Sequence, residues 1–196
     1  MLKNRKVLIL APHTDDGELG CGATITKAIE QNCTVYYAAF STAEQSVPEG
    51  YPKNQLELEV RKATKRLGIQ DEHLFIYKFE VRKLNYVRQE ILEELIRIRN
   101  KINPDLVFLP SSKDIHQDHT TVHHEGIRAF KFCSILGYEL IWNNLGFETD
   151  CFIEIDQSHL DAKLHALSAY ETQNGKLYMN PNFIKSLAIV RGTQIG

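Results

Sequence analysis

No stretch of this chain is apolar for long enough to cross a bilayer. The longest such run lies near Val7 to Pro12, against about 20 residues for a spanning helix. Neither sign of charge dominates: 23 Lys and Arg stand against 25 Asp and Glu, a formal net charge of -2. That balance argues against nucleic-acid binding through a broad basic surface. Cysteine is sparse, and Cys21, Cys33, Cys133 and Cys151 are widely spaced with no C-x-x-C pair, which excludes a zinc ribbon. They read as small buried hydrophobes. The N-terminus is basic, but a strand-length segment and then Asp15-Asp16 follow, which no signal peptide has. A cytoplasmic location is expected. Internal repeats and low-complexity segments are absent. What remains is an ordinary globular composition, 43% hydrophobic and 24% charged over 196 residues. This is enough chain for one domain, 1–196, to bury a core unaided by disulfides or a structural metal.

The order is strand, loop, helix, repeated. Lys6–Ala11, Thr34–Phe40 and Asp105–Leu109 are apolar with little alternation, as strands buried on both faces should be. Helices are expected over about 18–31, 56–67 (stopped by Gly68), 118–132 and 158–170. Val87, Ile91, Leu92, Leu95, Ile96 and Ile102 follow helical spacing opposite Arg88, Glu90, Glu93, Glu94 and Arg97, up to Pro104. Shorter strands are expected at His73–Tyr77, Tyr138–Trp142, Phe152–Ile155 and Leu187–Val190. Strands alternating with helices imply a single three-layer α/β/α domain with a Rossmann-like, mainly parallel sheet.

Ligands of open α/β sheets bind beyond the carboxyl ends of the strands. Two polar clusters stand there: Pro12-His13-Thr14-Asp15-Asp16-Gly17-Glu18 after the first strand, and Asp114-Ile115-His116-Gln117-Asp118-His119 after Leu109. Helix capping by Asp16 and Asp118 accounts for some of the acids, but not for His13 and Asp15. A catalytic zinc site takes three His or carboxylate ligands and leaves a fourth position for water. His13 and Asp16, three residues apart, can face one ion, with a histidine of the second loop completing the set. Asp15 and the remaining histidine then serve as base and electrophile. The inventory is that of metal-assisted hydrolysis, and two histidines with a carboxylate also suit Fe(II) or Mn(II).

The segment Ala11-Pro12-His13-Thr14-Asp15-Asp16-Gly17-Glu18-Leu19-Gly20-Cys21-Gly22-Ala23-Thr24 resembles the N-terminal signature of the LmbE-like (PIG-L) family of zinc-dependent N-deacetylases. Asp114–His119 is similar to that family's second motif, and Lys163–Gln173 with Arg191-Gly192 to its late segments. The resemblance covers nearly the whole chain. It implies that His13, Asp16 and His119 bind the metal and that Asp15 is the general base. It also implies that His116, as imidazolium, stabilises the oxyanion while Asp118 orients His116. N-acetylated amino sugars and their conjugates are the implied substrates. Thr14 stands where the family usually has proline, Gly17 where an acid is frequent and Ala23 where glycine is common. None is a ligand position.

His123 follows His119 by one helical turn and is a weaker ligand candidate. Trp142 is expected in the core or the pocket wall, and substrate choice should rest on 41–54 and 143–150. The rival reading is a catalytically inactive metal- or nucleotide-binding module. Gly20-x-Gly22 is faintly similar to a dinucleotide loop, but Ile25 stands where the third glycine belongs, and acids crowd the place of the pyrophosphate. A homo-oligomer is compatible with the sequence.

Overall fold

The unbroken apolar run near the N-terminus becomes β1 (Lys6–His13), whose side chains are buried on both faces. Val7, Ile9 and Ala11 enter one core with Val35, Tyr37 and Ala39, while Leu8 and Leu10 enter the other with Ala38 and Phe40. That two-residue alternation is the pleat of a strand covered on both sides. The computed structural model describes residues 2–146 and 148–196. After β1 come α1 (Asp16–Glu30), β2 (Thr34–Ser41), α2 (Gln55–Arg66), β3 (Leu74–Ile76), α3 (Arg88–Ile102) and β4 (Leu106–Pro110). Then follow α4 (Gln117–Phe130), β5 (Ser134–Tyr138), α5 (Gln157–Leu167) and α6 (Pro181–Gly192). All strand pairs are parallel, in the order β3-β2-β1-β4-β5.

The first core lies between the sheet and α1, α2 and α5, the second between the sheet and α3 and α4. Helix α3 shows why the layers close. It buries Ile91, Leu92, Leu95, Ile98 and Ile102 along one stripe, each contributing about 1.5–3 kcal/mol. Asn103 then turns left-handed (φ 46°) ahead of Pro104, and the helix ends.

Two expected strands are absent. Phe152–Ile155 has no regular structure, and Leu187–Val190 lies inside α6. There the Asn180 side chain accepts from the Asn182 amide (2.8 Å) and Pro181 takes the first helical position. A short apolar run does not by itself distinguish strand from helix; Ile184, Leu187, Ala188 and Arg191 share one helical face instead. The strand expected at Tyr138–Trp142 sits earlier, as β5.

The chain winds outward from β1 through β2 to β3, then crosses back to β4 on the other side of β1. Val7 pairs with Leu106 and Ile9 with Phe108. The carboxyl ends of β1 and β4 are therefore neighbours at the point where the winding reverses, the ligand-binding crevice of such sheets. Both polar clusters lie there.

Candidate metal centre and active site

His13 ends β1 and Asp16 begins α1, so two residues make the turn. Asp15 occupies the cap position, yet its side chain caps nothing. Asp16 Oδ2 instead accepts the backbone N–H of His13 at 2.8 Å. Capping therefore does not account for these acids. The turn is held from beneath. The Thr14 carbonyl accepts from the hydroxyls of Tyr37 (2.9 Å) and Tyr170 (2.7 Å), and both hydroxyls also meet the Glu18 carboxyl. Burial pushes the pKa of Glu18 up to about 8 against the pull of Tyr37 and Tyr170, making it a neutral acid at pH 7. Gly17 is explained too: a Cβ there would stand 2.4 Å from Tyr37 Cε2.

Three ligand atoms converge above this turn. His13 Nδ1 lies 3.1 Å from Asp16 Oδ2, His119 Nε2 lies 3.2 Å from the same oxygen, and the two nitrogens are 3.2 Å apart. Tetrahedral zinc with bonds of about 2.0–2.1 Å separates its ligands by about 3.3–3.4 Å, so an opening of a few tenths of an ångström would turn this triangle into one face of such a site. The other nitrogen of each ring meets a buried carboxylate: His13 Nε2 with Asp118 Oδ2 at 2.9 Å, His119 Nδ1 with Asp114 Oδ2 at 2.7 Å. Carboxylate partners of this kind fix the tautomer and orientation of metal-binding imidazoles. His116 also approaches, the ring nitrogens of the three histidines lying within 4.8 Å of one another. Asp16, however, closes the tighter triangle.

Two expectations need correction. Asp118 does not orient His116; its carboxylate meets His13 and accepts the backbone N–H groups of Arg82 (2.6 Å) and Leu84 (3.2 Å). The peptide N–H of Asp118 is what reaches His116, donating to Nδ1 at 3.2 Å. With Nδ1 accepting, the ring proton sits on Nε2. Burial, and then the neighbouring His119 and His13, pull the pKa of His116 down to about 4, so it is a neutral donor rather than an imidazolium.

The electrostatics favour a cation. Burial opposes protonation of His13 and His119, but Asp16 with Asp118, and Asp16 with Asp114, outweigh it and raise their pKa values to about 9 and about 10. Burial likewise opposes ionisation of Asp16, and the two histidines overcome it, holding the carboxyl well below its usual range. At Asp15 the same two histidines also pull downward but do not prevail. Burial and then Asp16 raise it to about 6, within the working range of a general base near neutral pH.

The cavity over these groups measures about 260 Å³. Besides the site residues, its walls include Ala43, Val81, Arg82, Trp142, Gln173 and Tyr178. Trp142 thus lines the pocket, stacked on Tyr178 with ring centroids 4.5 Å apart. Ser46 from 41–54 and Asn143 from 143–150 line it as well. Arg82 carries a left-handed backbone (φ 67°), a conformation that favours glycine and is retained here beside the Asp118 carboxylate. His123 lies elsewhere, with Nδ1 on the Pro110 carbonyl at 2.8 Å. Sequence reasoning gave Asp114 no role, although it stands five residues before His119 in the same motif. Nothing in the sequence ties Arg82 to Asp118, or Tyr178 to Trp142.

These features place a cluster of side chains able to hold a metal ion, beside a free carboxyl and a neutral imidazole, at the switch point of a parallel sheet. The chain belongs to the PIG-L family, described as GlcNAc-PI de-N-acetylase, whose model matches residues 8–130. Over 176 residues it is 27% identical to the protein named uncharacterized deacetylase YaiS of Escherichia coli K12, covering 87% of this chain and 92% of that one. Over 191 residues it is 26% identical to diacetylchitobiose deacetylase of Thermococcus kodakarensis, covering 86% of this chain and 70% of the relative. The N,N'-diacetylchitobiose deacetylase of Pyrococcus horikoshii, solved with an inhibitor, shares the fold with a TM-score of 0.83 at 22% identity, covering 98% of this chain and 80% of that chain. Among the described residues no helix is long and apolar enough to cross a membrane.

Proposed function

We propose that this chain hydrolyses the acetamide of an N-acetylated amino sugar or its conjugate, releasing acetate and a free amine. His13, Asp16 and His119 hold the metal, zinc in the first instance, with Fe(II) or Mn(II) suited to the same ligands. The observation that carries this reading is the triangle of ligand atoms 3.1–3.2 Å apart, each imidazole backed by its own buried carboxylate. Family membership and a relative that is a diacetylchitobiose deacetylase support the substrate class.

When bound, such an ion brings a water pKa to about 7 and polarises the amide carbonyl. The remaining steps belong to the protein. Asp15, uncommitted and facing the cavity, takes a proton from the attacking water. As negative charge builds on the former carbonyl oxygen, His116 donates Nε2–H to it, a stabilisation typically worth about 3–4 kcal/mol. The proton held by Asp15 then passes to the leaving nitrogen as the C–N bond breaks. Asp114 and Asp118 are positioning residues, acting through His119 and His13. The six residues expected from sequence surround one cavity or its immediate support, so no observation favours the non-catalytic alternative.

Elemental analysis of the purified full-length chain tests the reading, alongside His119→Ala. About one equivalent of zinc or iron in the wild type, lost in the variant, is the expected result. It justifies an acetate-release screen on N-acetylglucosamine and chitobiose derivatives. A wild type that takes up no stoichiometric metal after reconstitution overturns the hydrolase assignment.

A further inference from the structure

A second cavity, of about 160 Å³, adjoins the catalytic one beneath α6. Ile141, Ile155, Leu160, Phe183, Leu187 and Ala188 give it an apolar lining. Leu19, Trp142 and Tyr178 line both cavities, so the stacked Trp142–Tyr178 pair is their common wall. Lys163, Arg191 and Glu139 are the charged residues of its wall. Lys163 of α5 lays its stem across Gly22, where a Cβ would stand 2.8 Å from Lys163 Cγ. Its ammonium reaches the carbonyl of Leu19, at the junction of the two cavities, and donates to it at 2.6 Å.

An ammonium has three donors, and this one contact uses one of them. The other two need acceptors, because a buried ammonium without them is costly. Burial lowers the pKa of Lys163 to about 8, which leaves it mainly charged at pH 7. At the other end Arg191 is paired with Glu139, Nε to Oε2 at 3.0 Å, so that cation is already neutralised by a carboxylate. A short hydrocarbon tail with one carboxylate complements this arrangement: the carboxylate accepts from Lys163 and the tail lies on the apolar lining.

We propose that the crevice is a binding site for short-chain monocarboxylates, and that the acid released by amide hydrolysis enters it from the catalytic cavity. The second part rests on the deacetylase reading; the first does not.

Amide-resolved NMR titration of the full-length, metal-loaded protein with acetate, propionate and butyrate tests it. A carboxylate in the crevice shifts the amides of Gly20, Gly22 and Ala188, whereas one at the catalytic centre shifts those of Thr14 to Asp16. The crevice shifts should saturate, with affinity rising about fourfold for each added methylene. They should weaken at least tenfold in Lys163→Met and in Ala188→Trp, which fills the crevice but keeps the lysine. Neutral butyramide should leave them unmoved. Absence of saturable shifts, an equal response to butyramide, or an unchanged response in Lys163→Met overturns the site. Inhibition of amine release by butyrate should be relieved in Lys163→Met, and unchanged inhibition overturns the assignment to the released acid. A silent crevice in a metal-loaded chain refutes this inference alone, while a responsive crevice in a chain that binds no metal refutes the hydrolase reading alone.

Discussion

The two turns that build the site reach the same precision by different means. At the β1–α1 turn, His13 and Asp16 are fixed by groups far away in sequence: Tyr37 from β2 and Tyr170 from beyond α5 both seat the Thr14 carbonyl. At the β4–α4 turn, His119 lies in the first turn of α4, and its support comes from its own motif and the neighbouring loop at Asn143 and Asn144. Asp114 holds its Nδ1 and also accepts the N–H of His116 at 2.9 Å, and Asn143 and Asn144 pair with Ile115 and Asp114. One half of the site is thus as firm as the core, the other as firm as its own loop. The proposed chemistry divides in the same way, with Asp15 as base on the first turn and His116 as oxyanion donor on the second.

The sharpest way to break that division is to remove each reacting group in turn. Asp15→Asn should lower kcat by about 10²–10⁴-fold while metal content stays at the wild-type level. His116→Ala should cost about 10²–10³-fold, also with metal retained. Loss of the metal in Asp15→Asn would move Asp15 from base to ligand. The base must be ionised to act, and burial with Asp16 raises its pKa to about 6. Activity should therefore fall as pH drops through this region, and the residual activity of Asp15→Asn should lack that acid limb.

The supporting carboxylates come next. Asp114→Asn and Asp118→Asn should each weaken metal binding about 10–100-fold, read by competition with a chromogenic chelator. They differ in a second readout. Asp118 also holds the Arg82 and Leu84 amides at the cavity wall, so its substitution should raise KM, whereas Asp114→Asn should leave KM near the wild-type value. Equal KM effects would mean that the 82–84 segment is not fixed through Asp118.

Much of this was legible in the sequence where the signal is local. The β1 run announces a strand buried on both faces, and the two polar clusters announce the site because strand ends place them. The pairing of His13, Asp16 and His119 also follows the family motifs. What escaped depends on directions across space. Asp118 stands two residues after His116 and reads as its partner, but its carboxylate faces His13 across the β1–β4 boundary. The tautomer of His116 turns on one amide at the start of α4. Leu187–Val190 reads equally well as strand or helix until Asn180 and Pro181 are recognised as a helix start.

The smallest effect probes the firm turn from below. Each tyrosine hydroxyl there has one proton, yet Tyr37 and Tyr170 both meet Thr14 and Glu18; a neutral Glu18 supplies the additional donor. Its folded-state pKa of about 8 lies above the ordinary 4.5. A raised pKa contributes stability that is fully present below about 4.5 and is lost as pH rises through 8. Glu18→Gln keeps one donor and one acceptor, so its stability at low pH should lie within about 1 kcal/mol of the wild type. Because the amide does not titrate, the variant should gain on the wild type steadily between pH 5 and 8 and by a constant margin above that, as read by denaturant unfolding. Parallel stability curves would mean that Glu18 is ionised in the folded protein. The Thr14 carbonyl would then be held by two tyrosines beside a carboxylate, and the firmness of the first turn would depend on a buried charge.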